Sequence, residues 1–124
     1  MDIRFITKNM HAAIDYPVAA LLIGAPFLLG LGESNPTAKW LSVVVGVAAL
    51  LLTILTNHKA GIIRILPYRF HVAVDGAVGV LFLVAPFVFK FEGLDALYYW
   101  LNAMAVITVV SLAAPEKRGE PVAA

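Results

Sequence analysis

The chain has 124 residues, of which 61% are hydrophobic and only 14% charged, against about half and a quarter in ordinary water-soluble domains. A fold this small has too little interior to hide that much apolar surface, and a net charge of +1 excludes the basic field that draws proteins to nucleic acid. Cysteine is absent, which excludes disulfides, thiolate metal ligands and cysteine chemistry.

The N-terminal segment Asp2-Ile3-Arg4-Phe5-Ile6 mixes aliphatic and aromatic residues with a cation, as in a lead-in lying in the lipid headgroup plane. Past Lys8, His11 and Asp15, an uncharged run extends from Tyr16 to Gly32. No A-x-A-like cleavage site follows Leu31, so the run reads as a retained helix and not as a signal peptide. A short loop with Glu33 and Lys39 leads to a second run, Trp40 to Asn57. The middle loop carries His58 and Lys59, and a second lead-in follows, Ile62-Ile63-Arg64-Ile65-Leu66, then Arg69, His71 and Asp75. The third run, Gly76 to Phe89, reaches spanning length once His71 to Asp75 or a snorkelling Lys90 is included. Glu92 and Asp95 mark another short loop, and the fourth run covers Ala96 to Pro115 ahead of Lys117 and Arg118.

A bilayer core takes about 17 to 25 residues of helix, so these runs predict an all-α integral membrane protein with four transmembrane helices and only a short tail after Leu112. A bundle buried in water would need polar outer faces, which these runs lack. Cations favour the cytoplasmic side, and most of them (Arg4, Lys8, Lys59, Arg64, Arg69, Lys117, Arg118) fall at the two termini and in the middle loop. That distribution predicts a multi-pass protein of a cell membrane, of the bacterial inner-membrane kind, with N- and C-termini in the cytoplasm. Trp40, Tyr98, Tyr99 and Trp100 are expected to form an aromatic belt at the outer interface.

Sliding the sequence by sixty positions matches Ile3-Arg4 with Ile63-Arg64, His11 with His71, Asp15 with Asp75, Ala25-Pro26-Phe27 with Ala85-Pro86-Phe87, and Trp40-Leu41 with Trp100-Leu101. The Arg, His, Asp, Pro and Trp identities are hard to obtain by chance in an apolar composition. One membrane domain, 1–124, thus contains two two-helix repeats, about 3–56 and 63–114, expected to run parallel about an axis along the membrane normal.

On these residues the chain resembles the SPW-repeat family of small integral membrane proteins, with Ala-Pro-Phe in both copies where the family's Ser-Pro-Trp is expected. The resemblance covers Arg4 to Leu112. It implies a four-helix membrane protein and brings with it no assigned activity.

Residues four apart on a helix share a face, so His11 with Asp15 and His71 with Asp75 form two matched pairs. Val18, Leu22 and Pro26 continue the stripe of His11, and Val78, Phe82 and Pro86 that of His71, which predicts that the stripe faces the pseudo-twofold axis. Small residues at Ala20 and Gly24, or Gly76 and Gly79, offer close helix approach elsewhere. Pro26 and Pro86 leave the carbonyls of Leu22 and Phe82 without a helical donor and are expected to kink their helices, with Pro17 adding a break in the first copy alone.

The four polar side chains support several readings. They can stitch the repeats together in a non-enzymatic scaffold or accessory subunit that associates with itself or with a larger membrane complex. Alternatively, they form a cofactor, metal or proton-handling site, with haem or a divalent metal at His11 and His71 and the aspartates orienting the rings. Proton transport by these residues alone lacks polar groups farther along the stripe; Ser42, Thr53, Asn102, Thr108 and Ser111 lie on the other helices. Arg4 and Arg64 read as interfacial cations, either simple anchors or contacts to anionic lipid. No G-x-S-x-G, H-E-x-x-H or phosphate loop is present, so no enzyme is expected.

Overall fold

A computed structural model describes residues 3–56 and 61–114. Four helices account for most of them: α1 (Lys8–Leu28), α2 (Thr37–Leu55), α3 (Tyr68–Val88) and α4 (Gly93–Leu112). Each is long and apolar enough to cross a membrane. The third helix gains its length backwards, through His71 and Asp75, and ends before Lys90.

Local chemistry explains the ends. Thr7 caps α1, its hydroxyl accepting from the Met10 N–H at 3.2 Å. Both first helices stop in the same way: Gly30 and Lys90, sixty positions apart, take the left-handed conformation (φ 67° and 57°), and the next N–H reaches back to a proline carbonyl. Those bonds, Leu31 to Pro26 and Phe91 to Pro86, are both 2.9 Å. The proline carbonyls therefore take part in the stop signal. Helix α1 continues through Pro17, so the expected break there does not occur.

The helices pair within each repeat, α1 against α2 and α3 against α4. Glycine sets the closest approach on each hairpin, at Gly46 and Gly79. A Cβ on Gly46 would sit 2.9 Å from Leu22 Cβ, and one on Gly79 would sit 2.9 Å from Ile107 Cγ1. Gly24, by contrast, faces open space and Ala20 is exposed, so neither is a packing notch.

The hairpin-loop end of the bundle is tightly packed. Phe82, Phe91 and Tyr99 stack there, with ring centroids 4.7 and 4.8 Å from Tyr99, among Leu22, Leu31, Ala38 and Val45. Tyr98 and Tyr99 lie inside this core and not in an outer belt. The Tyr99 hydroxyl donates to Ala38 O at 2.7 Å and the Tyr98 hydroxyl meets Ser42 Oγ at 2.7 Å. Three consecutive helical residues cover roughly 200° of a helix, so they cannot all face lipid; Trp40 and Trp100 do lie outward. Ser42 Oγ also donates to Leu22 O at 2.8 Å, re-satisfying the carbonyl that Pro26 leaves without a helical donor. Asp95, 2% exposed, holds the first loop by accepting from Gly32 N, Ser34 N and Ser34 Oγ at 2.8, 3.0 and 2.6 Å.

At the opposite end each lead-in pairs with the last turn of the other repeat. Ile6 N–H donates to Leu112 O and Ala114 N–H to Ile6 O, while the Leu66 N–H donates to Leu55 O. Ile6 is buried by this pairing; Ile3, Phe5, Ile62, Ile63 and Ile65 stay exposed.

Candidate functional site

The matched stripes do converge. His11 and His71 are each 1% exposed, with ring centroids 5.5 Å apart, and the two aspartates close the cluster. Contacts cross between repeats: His11 Nε2 lies 2.9 Å from Asp75 Oδ2, and His71 Nε2 lies 2.8 Å from Asp15 Oδ2. The contacts within each repeat are longer, 3.3 Å for His11 to Asp15 and 3.2 Å for His71 to Asp75. Each imidazole Nε2 thus faces both carboxylates. One ligand-capable atom from each of the four residues falls within 4.8 Å of the others.

The Nδ1 atoms face hydroxyl groups. His11 Nδ1 is 3.0 Å from the Tyr68 hydroxyl, whose ring meets the imidazole edge-on at 5.8 Å. His71 Nδ1 is 2.8 Å from Thr56 Oγ1. Thr56 Oγ1 donates its single hydrogen to Leu52 O at 2.5 Å, so toward His71 it accepts, and His71 carries a hydrogen on Nδ1. The threonine is fully buried, its hydroxyl engaged with both Leu52 O and the imidazole.

Tyr68 and Thr56 escape the sequence reading because the repeat does not repeat them. Lys8, itself buried, stands sixty positions before Tyr68, and the position sixty after Thr56 lies outside the described residues. The only available signal is adjacency: Tyr68 precedes His71 by three residues, one helical turn, and Thr56 ends α2.

Above the quartet, toward the packed end, residues of all four helices line a half-open cavity of about 350 Å³. His11, Asp15, His71 and Asp75 lie at its polar end, Val18, Leu22, Val45, Val78 and Val106 line its walls, and Thr53 and Asn102 add polar groups. Both turn inward onto their own helices, Thr53 Oγ1 donating to Ala49 O and Asn102 Nδ2 to Tyr98 O, each at 2.8 Å. Thr108 donates to Met104 O on the exposed side of α4, and Ser111 is exposed.

Pro26 and Pro86 are buried at the far end from the quartet, as parts of the helix stops. Arg4 is exposed, Arg64 is half-buried with Nε donating to Gly61 O at 3.1 Å, and neither belongs to the quartet. His58, Lys59, Lys117 and Arg118 lie outside the described residues.

Four spanning helices, pairing as two matched hairpins around a buried His/Asp quartet, define a small multi-pass membrane protein built by internal duplication. The chain belongs to the SPW repeat domain family, whose family model matches residues 9–116. Neither the curated proteins nor the solved structures contain a match.

Proposed function

We propose that the protein is a non-enzymatic accessory or scaffold subunit of a bacterial cell membrane, with both termini cytoplasmic, and that the quartet is the joint holding its two hairpins together. One observation carries this reading: the shorter His-to-Asp contacts, 2.9 and 2.8 Å, run between repeats, at the end of the bundle away from the Tyr98, Tyr99 and Asp95 contacts that also link the hairpins. A polar joint near a membrane end needs no further role to persist, because intramembrane hydrogen bonds return about 0.6 kcal/mol on average and up to about 1.7. The committed hydrogen of Thr56 speaks against nucleophilic catalysis, and the apolar walls of Val18, Val45, Val78 and Val106 speak against a proton path beyond the quartet. Haem ligation is poorly supported too, since both Nε2 atoms face carboxylates and no gap for a porphyrin separates the rings.

The joint is tested by exchange across the axis. His11→Asp and Asp75→His each lower the midpoint of unfolding, and the double variant, which restores two histidines and two aspartates, recovers it; a double variant no better than the singles refutes the joint. The accessory role is tested by native mass spectrometry of the protein extracted in mild detergent from its own membrane. A self-associated or complexed species is expected, and a lone monomer refutes that part of the reading.

A further inference from the structure

Two carboxylates facing two imidazole nitrogens in a low-dielectric interior call for compensating positive charge, which either protons on both rings or one bound cation supplies. Hydrogen bonding on the far side of the rings says where it belongs. The hydrogen on His71 Nδ1 is fixed by Thr56, so the lone pair of the neutral ring is on Nε2, aimed at Asp15 and Asp75. Metal-binding histidines are commonly held this way, the second nitrogen donating to an oxygen that sets the tautomer and the ring plane. Asp15 Oδ2, buried, has His71 Nε2 at 2.8 Å as its polar neighbour, so proton and metal would compete for the same position between them.

We propose that the quartet is a site for one divalent first-row metal ion, Zn²⁺ fitting best, bound by His11 and His71 through Nε2 and by Asp15 and Asp75 through one carboxylate oxygen each. The dimensions agree. Tetrahedral zinc with bonds of about 2.0 to 2.2 Å separates its ligand atoms by about 3.3 to 3.6 Å. With one oxygen per aspartate, Asp75 Oδ2 lies 2.9 and 3.2 Å from the two imidazole nitrogens and Asp15 Oδ2 lies 2.8 Å from His71 Nε2, and all four ligand atoms fall within 4.8 Å of one another, so the close pairs must open and the wide ones close onto the ion. Charge agrees as well, because one divalent cation neutralises two carboxylates where a monovalent ion leaves a net negative charge in the membrane. Two imidazoles shift the preference from magnesium and calcium toward zinc. The Asp15 and Asp75 side chains keep 14% and 16% of their surface exposed, so their carboxylates are not sealed off from an incoming ion. The inference rests on the quartet being the joint between hairpins and adds that an ion completes it.

The test uses full-length protein in detergent, stripped with chelator and re-equilibrated with Zn²⁺ alone, with metal per chain read by mass spectrometry. About one Zn²⁺ per chain is expected for the wild type and none for the Asp15→Asn, Asp75→Asn double variant. Thr56→Val keeps all four ligands but frees the His71 ring, and is expected to weaken binding about 10- to 100-fold. Should the double variant lose its helix content, Co²⁺ loaded into the wild type decides, because a four-coordinate site gives the strong visible absorption of tetrahedral Co²⁺ and a six-coordinate surface ion does not. A wild type that takes up no Zn²⁺, Zn²⁺ retained by a folded double variant, or a Co²⁺ complex without that absorption each overturns the proposal. If uptake fails while the cross-axis exchange still recovers stability, the joint stands and the metal falls.

Discussion

Ser42 supplies the Leu22 carbonyl with the donor that Pro26 lacks, and the pair lends itself to a double-mutant cycle. Its hydroxyl donates to Leu22 O at 2.8 Å and meets the Tyr98 hydroxyl at 2.7 Å, with the serine fully buried. Ser42→Ala removes both bonds and leaves two buried oxygens short of a partner. At about 0.6 kcal/mol per intramembrane bond, with extra cost for orphaned groups, the loss should be about 1 to 2 kcal/mol. In a Pro26→Ala background residue 26 regains an N–H, the Leu22 carbonyl regains a helical donor, and Ser42 is needed only for Tyr98. The same Ser42→Ala change should then cost about half as much, a coupling of about 0.6 to 1 kcal/mol between the sites. Reversible unfolding in mixed micelles with rising SDS measures all four corners, and packing lost with the proline ring cancels in the cycle. Additivity within about 0.3 kcal/mol refutes the claim that Ser42 compensates for the proline.

Other expectations follow from single contacts. Lys90 takes the left-handed conformation that Gly30 takes in the first repeat, so Lys90→Gly should raise stability by about 0.5 to 1 kcal/mol and Gly30→Ala should lower it by a similar amount in the same unfolding assay. Gly79→Ala drives a methyl group to 2.9 Å from Ile107 Cγ1 and should destabilise by about 1 to 3 kcal/mol, whereas Gly24→Ala, into open space, should be neutral or mildly stabilising. Asp95→Asn replaces an acceptor with a donor opposite the Gly32 or Ser34 amides; hydrogen exchange should quicken at those amides while the α3 interior keeps its protection.

The charge gaps and the sixty-residue register made the four helices and their pairing readable, because both follow from what the bilayer demands of composition. The convergence of His11, Asp15, His71 and Asp75 was readable for a related reason: residues four apart share a face, and duplicated faces meet at an axis. Symmetry also set the limit. Thr56 and Tyr68, which hold the two Nδ1 atoms, have no matching partner in the other repeat, so no comparison of copies reveals them. Tyr98 and Tyr99 carry the composition of interface aromatics, and only their hydroxyl bonds to Ser42 and Ala38 on α2 distinguish them as core residues. The sequence marks Gly24 and Gly79 alike and passes over Gly46, since a glycine reads the same whether it faces a neighbouring helix, as Gly46 and Gly79 do, or open space, as Gly24 does.

The two lead-in pairings give the bundle a property that neither hairpin has alone. Ile6 joins the end of α4 and Leu66 joins the end of α2, so each hairpin begins on the exit of the other and the chain path forms a ring. In such a ring the order of the hairpins is arbitrary. A circular permutant running α3, α4, α1, α2, opened in the middle loop and linked from Ala114 to Ile3, presents the same two faces to the axis.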